Sequence, residues 1–187
     1  MADADMILME IEERMEQRVH DLSKELSKIR TGRANPRMFD DVHVEYYGVE
    51  TPVTQVASIS VPEPTQLLVK PFDRSLVKEV ERAILAANLG VTPNNEGLQL
   101  RIVLPALTKE TRMDLTKKVK KYGEEAKVSI RNIRRDGNDA IKKLEKSSDI
   151  SEDDSKGYQD DIQELTDSYT QKIDDVVKHK EDDILNL

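Results

Sequence analysis

Three stretches of this chain repeat apolar residues at the period of an α-helix. The first places Leu8, Ile11, Met15, Val19, Leu22, Leu26 and Ile29 at spacings of three and four, which predicts one helix with a single buried stripe. Gly32, Asn35 and Pro36 arrive together and end it. The second runs through Leu115, Val119, Tyr122, Ala126, Ile130, Ile133, Gly137, Ile141 and Leu144, and is broken at Ser147-Ser-Asp-Ile150. The third begins at Ser151, where Asp154 completes a capping box, and continues through Tyr158, Ile162, Leu165, Tyr169, Ile173, Val176 and Ile184. Between the first two, the period changes. Val42, Val44 and Tyr46 alternate with polar neighbours up to Gly48, as in a half-buried strand. Val53–Val56, Ser58–Val61 and Gln66–Val69 are further strand candidates. Asp73 or Ser75 can cap a helix through Leu76, Val80, Ile84 and Leu85, and Leu98, Leu100, Ile102 and Leu104 alternate again before Pro105.

A helix with one apolar stripe must hide it against a neighbour. The order helix, α/β segment, helix, helix therefore predicts an α+β chain. Residues 1–30 and 106–187 would form a discontinuous three-helix bundle, with a small β/α/β domain inserted over 31–105. Two crossings join the units, at Thr31-Gly32-Arg33 and at Leu104-Pro105, and a hinge is expected there.

Composition supports long helices over a large globular core. Charged residues make up 35% and aromatics 4%, with no Trp, so little bulky apolar surface is available to fill such a core. The absence of Cys excludes disulfides, thiolate metal sites and cysteine nucleophiles. No apolar run approaches the ~18 residues of a membrane span, and the acidic Met1-Ala-Asp-Ala-Asp5 is unlike a signal peptide. A cytoplasmic protein without membrane association is expected.

The net charge of −8 speaks at first against nucleic acid, but its distribution does not. Met1–Arg30 carries −3, Thr31–Pro105 −2 and Ser147–Leu187 −9, whereas Ala106–Lys146 carries +6. At roughly 100° per residue, Lys109, Lys120, Lys127, Arg131, Arg134 and Lys142 fall on one flank of the second helix. Asp114, Glu125, Asp136 and Asp139 fall on the other, with Glu124 and Glu145 intruding on the basic side. A basic stripe on a rigid helix suits phosphate, because Lys and Arg displace condensed counterions and Arg forks onto phosphate oxygens. The same stripe also fits a solvated face with i,i+4 ion pairs, or docking onto the acidic third helix. Arg131, Arg134 and Arg135, bunched in one turn, favour phosphate.

Signals for enzyme chemistry are weak. His20, His43 and His179 lie in three different elements, in no metal-site spacing. Glu152-Asp-Asp154 followed by Gly157 resembles a calcium loop only loosely: read from Glu152, the fifth position is Lys156, and the twelfth is Gln163 where a bidentate carboxylate is needed. No phosphate loop, nucleophile elbow or Ser/His/Asp arrangement is present, and neither a cofactor nor a resident metal is expected. Tyr46-Tyr47-Gly48 fits strand packing better than a platform for stacking bases.

Six segments, in order, carry a more specific signal: Lys28-Ile-Arg-Thr-Gly-Arg-Ala34, Val44-Glu-Tyr-Tyr-Gly48, Phe72-Asp-Arg-Ser75, Leu115-Thr-Lys117, Val128-Ser-Ile-Arg-Asn-Ile-Arg-Arg-Asp136 and Ile150-Ser-Glu-Asp-Asp154. Over almost the full length the chain resembles the ribosome recycling factor family. The resemblance implies an L-shaped molecule, a three-helix bundle and a β/α/β insert on a flexible elbow. It implies a monomeric, non-enzymatic factor whose bundle binds large-subunit ribosomal RNA across the A and P sites after termination. Elongation factor G, hydrolysing GTP, would then split the subunits. Messenger RNA and the last transfer RNA would leave, with an initiation factor preventing reassociation. Carried onto this chain, the RNA contacts are Arg131, Arg134 and Arg135, with Arg134 the first choice, Lys127 and Arg112 weaker, and Arg30 and Arg33 at the elbow motif with Gly32. Gly137 is read as a position where Ala would also serve. The competing class is a helical scaffold for an acidic or coiled-coil protein partner.

Overall fold

The computed structural model describes residues 2–186, in two compact units. One unites the chain up to Ile29 with Arg112–Asn186, and the other is Arg30–Thr111.

The first unit is built on α1 (Ala2–Ser27), α4 (Lys109–Lys146) and α5 (Glu152–Leu185). The stripes read from the sequence are the ones that are buried. Ile11, Met15, Leu22 and Leu26 of α1 meet Val119, Ala126, Ile130 and Ile141 of α4 and Ile162, Tyr169 and Ile173 of α5 in one core. Contacts across the bundle give its directions. Arg14 reaches Asp136 and Arg18 reaches Ser129, so α1 and α4 are antiparallel. Tyr158 donates to Asp5 at 2.7 Å, so α5 runs parallel to α1. The α4–α5 turn holds Ser148 at φ 61°, and Ser151 then caps α5 by accepting from the Asp154 N–H.

Two glycines of α4 lie at this packing. A Cβ on Gly123 would fall 2.6 Å from Val177 Cγ2. One on Gly137 would fall 2.9 Å from Ile11 Cγ1 and 3.2 Å from Ile162 Cδ1. An Ala at Gly137, which the sequence reading accepts, would require Ile11 to shift. Helix propensity favours Ala by about 1 kcal/mol, but the missing Cβ is where the α1 and α5 side chains seat.

The second unit holds β1 (His43–Tyr46), β2 (Val49–Pro52), α2 (Val53–Val56), β3 (Ala57–Glu63), β4 (Gln66–Pro71), α3 (Val77–Ala86), β5 (Pro93–Asn95) and β6 (Leu100–Val103). β1 and β2 form a hairpin, and the other strands make an antiparallel sheet in the order β3-β4-β6-β5. Leu67, Val69, Leu100 and Ile102 face α3 residues Val80 and Ile84 in its core, which Phe39 and Val53 complete. Asp73 caps a 3-10 turn, Arg74–Leu76, that leads into α3.

Two local expectations need correction, and one further strand was not expected. Val53–Val56 is a helical turn rather than a strand, with Val53 and Val56 both buried as i,i+3 neighbours. Leu98 does not begin the last strand. It stands 47% exposed in the β5–β6 turn, which Gly97 closes at φ 97° with its N–H on Asn95 Oδ1. β5 itself, Pro-Asn-Asn, has neither alternation nor strand-forming side chains and gave no sequence signal.

Candidate nucleic-acid interface

α4 is 38 residues long, a rod of roughly 57 Å at 1.5 Å per residue. Because α1 and α5 cover its apolar stripe from opposite sides, each flank meets a different neighbour. The acidic flank adjoins α1, where Asp136 takes Arg14 at 3.0 Å and Ser129 takes Arg18 at 3.1 Å. The basic flank adjoins α5, itself rich in carboxylates, and the residues nearest that helix are engaged by it.

Lys127 is one of these. Its ammonium contacts the Asp174 carboxylate and lies 3.6 Å from Glu124. Asp174, more than Glu124, holds the Lys127 pKa above the ordinary lysine value against the opposing effect of partial burial. Arg134 is the other. Half-buried, it donates from Nη1 to Gln163 Oε1 at 3.1 Å, and Gln163 in turn donates to Asp167 at 2.9 Å. Arg134 Nε is shielded from solvent and has no hydrogen-bond partner among the described residues.

Arg131 and Arg135 stand further round the helix. Both are exposed, and among the described residues neither side chain makes a hydrogen bond or ion pair. Lys120 and Lys142 are exposed on the same flank. The result is a graded face: Lys127 neutralised, Arg134 anchored with part of its guanidinium committed, Arg131 and Arg135 free. Two guanidinium groups free to fork and one held in place can engage successive phosphates of a backbone without moving the helix.

The remaining candidates do not join this cluster. Arg112 lies in the first turn of α4, roughly 28 Å along the axis from Arg131, and its Nε is also buried without a partner among the described residues. Arg30 and Arg33 belong to the second unit. Both are exposed, and the Arg30 guanidinium lies over Gly90, whose φ of +76° and absent Cβ leave the room: a Cβ would meet Arg30 Nη1 at 2.7 Å. Thr31 Oγ1 accepts from the Arg33 N–H at 3.3 Å, and Gly32 is buried at φ 78°.

Both crossings are pinned to the β3–β4 turn by backbone bonds. Ala34 N–H donates to Pro64 O at 2.7 Å and Leu104 N–H to Thr65 O at 2.8 Å. Leu104 is also buried in the core of the second unit.

Tyr46 and Tyr47 divide their roles. Tyr46 packs against the core of the second unit, as a strand residue should. Tyr47, at φ 49° in the hairpin turn, is 84% exposed with its ring edge-on to Tyr46 at 4.4 Å, so packing does not account for it. Among the described residues no group of three or more His, Asp or Glu could hold a metal ion, and no helix is long and apolar enough to cross a membrane.

The sequence pointed to the α4 arginines but not to their α5 partners. Gln163, Asp167 and Asp174 carry no motif. They become legible only once α5 is known to be antiparallel to α4, so that position 134 faces 163 and position 127 faces 174.

Comparison with known proteins extends over almost the whole length. A family model described as ribosome recycling factor matches residues 22–185. The ribosome-recycling factor of Geobacillus thermodenitrificans is 50% identical over 184 residues, 98% of this chain and all of the relative. That of Bacillus velezensis is 52% identical over 181 residues, 97% of this chain and 98% of the relative. Among solved structures, a solution structure of ribosome recycling factor superposes with a TM-score of 0.82 at 34% identity, covering 99% of this chain and 98% of that one. A T. thermophilus ribosome recycling factor, described with E. coli elongation factor G bound to the E. coli post-termination complex, gives 0.66 at 40% identity, with 97% and 98% covered. By family model and by near-full-length identity, this chain belongs to the ribosome recycling factor family.

Proposed function

We propose that this chain is a cytoplasmic translation factor that binds the post-termination ribosome through its RNA. With elongation factor G and GTP it promotes separation of the subunits, and it performs no bond chemistry of its own. The observation that carries the reading is the free arginine pair, Arg131 and Arg135, beside the anchored Arg134 on a rigid helix in a protein of net charge −8. Overall acidity would keep the protein off nucleic acid in general, while the local basic face gives an attractive patch where a fitted phosphate backbone can approach. The relatives' names and the elongation factor G in the T. thermophilus description support the same assignment.

The elbow is proposed to turn at Thr31–Arg33 and Pro105–Thr108. Leu104, hydrogen-bonded and buried in the second unit, moves with that unit and is not itself a pivot. The scaffold alternative is weaker, because the apolar stripe a coiled-coil partner would need is already spent inside the bundle.

Sedimentation of ribosomes tests the reading. Added together, the chain, elongation factor G and GTP should convert post-termination particles to subunits, and omitting any one should leave them intact. Conversion that does not depend on the chain would overturn the proposal. The graded face makes a finer claim for the same assay. Because Asp174 already neutralises Lys127, Lys127→Ala should weaken binding less than Arg131→Ala; the reverse order would place the contact nearer α5.

A further inference from the structure

We infer that Gln163, backed by Asp167, is a positioning residue that sets the Arg134 guanidinium for an anion; this rests on the reading of Arg134 as a phosphate contact. Gln163 lies on α5 in the register that faces position 134, and its Oε1 takes one Arg134 Nη1 hydrogen at 3.1 Å. The Gln163 amide is itself oriented, because its Nε2 donates to Asp167 Oδ1 at 2.9 Å, four residues on along the same helix. An amide with a fixed N–H side has a fixed oxygen side, so the chain Asp167–Gln163–Arg134 gives the Nη1 end of the guanidinium a set position.

The other end of Arg134 makes the choice of edge. Nε is shielded from solvent and has no partner among the described residues, so the Nε–Nη2 edge, one of the two that could fork onto an anion, is closed. The edge left for a bidentate phosphate is Nη1–Nη2, with one Nη1 hydrogen held by Gln163 and the rest free. An unpaired buried N–H is costly. Packing that tolerates it, next to a glutamine that orients the same group, favours one preset geometry over a mobile arginine. Arg131 and Arg135, with no such partner, supply charge without a preset direction. An arginine ordered before binding does not pay its rotamer entropy on binding, which is the usual gain from preorganisation. A glutamine suits this role better than a carboxylate, since it accepts the hydrogen bond without cancelling the charge that phosphate needs.

A double-mutant cycle on the full chain tests this, using ribosome affinity at low ionic strength so that weakened variants remain measurable. Gln163→Leu keeps the size of the side chain and removes the acceptor. It should weaken binding roughly three- to tenfold in the parent and have no further effect in an Arg134→Ala background, with melting unchanged. Equal losses in both backgrounds would mean that Gln163 contacts RNA directly, and no loss in the parent would mean that Arg134 needs no guide. Either result overturns the inference. If Arg134→Ala itself leaves affinity unchanged, the phosphate role of Arg134 fails first, which the same cycle reads separately.

Discussion

A chain carrying Arg131→Glu, Arg134→Glu and Arg135→Glu is expected to lose ribosome binding while retaining its helical content and melting temperature. Each substitution removes a charge-assisted contact of about 1.5–3 kcal/mol and installs a carboxylate facing phosphate. Three together should lower affinity by at least about a thousandfold, before the added repulsion is counted. The fold should not notice. Arg131 and Arg135 are exposed without intramolecular partners among the described residues. Arg134 gives up one exposed bond to Gln163 and relieves an unpaired buried N–H. Circular dichroism and ribosome sedimentation on the same preparation read both halves. Binding that survives would move the contact off this face.

The second large effect is structural. Gly123→Val should destabilise the bundle by about 3 kcal/mol, the upper part of the range for forcing extra methyl groups into a packed interior. Its Cβ alone would lie 2.6 Å from Val177 Cγ2. Val177 is β-branched and stiff at χ1, so it cannot swing its methyl aside, and the helix axes must separate instead. Chemical denaturation followed by helical signal measures the loss. Val177→Ala, harmful by itself because it empties a packed site, should recover most of the stability when combined with Gly123→Val. A double variant as unstable as the two losses added would show that the glycine is not there for Val177. Ribosome binding by the folded fraction should be unaffected, which separates this defect from that of the arginine variant.

What could be read in advance follows from where the information lies. The three long helices were legible because each stripe, such as Ile162, Tyr169 and Ile173 on α5, is a property of one helix and its own period. The Val53–Val56 turn was not, since two buried valines three apart satisfy a strand's composition and a helix's spacing equally. Gly137 misled for a related reason. In its own helix the lack of a side chain looks like a small defect, and only the approach of Ile11 and Ile162 gives it a purpose.

The candidate site divides in the same way. That Arg131 and Arg134 share one flank, with Arg135 in the same turn, follows from helical geometry. Which of them remain free depends on α5, and nothing in the α4 sequence states that its basic side would meet Asp174 and Gln163. The alternative of docking onto the acidic third helix is realised for Lys127, and among the described residues Arg134 is hydrogen-bonded to that helix by Gln163 alone. The phosphate reading is left with Arg131, Arg135 and the outer edge of Arg134.

Whether this face binds RNA phosphate is read from the salt dependence of ribosome affinity for the parent and for Arg131→Gln, Arg134→Gln, Arg135→Gln combined. Each phosphate contact contributes about 0.7–0.9 to the slope of log affinity against log salt concentration. A steep negative slope is expected for the parent, shallower by roughly two to three in the variant. Equal slopes for the two proteins would contradict phosphate binding by this face.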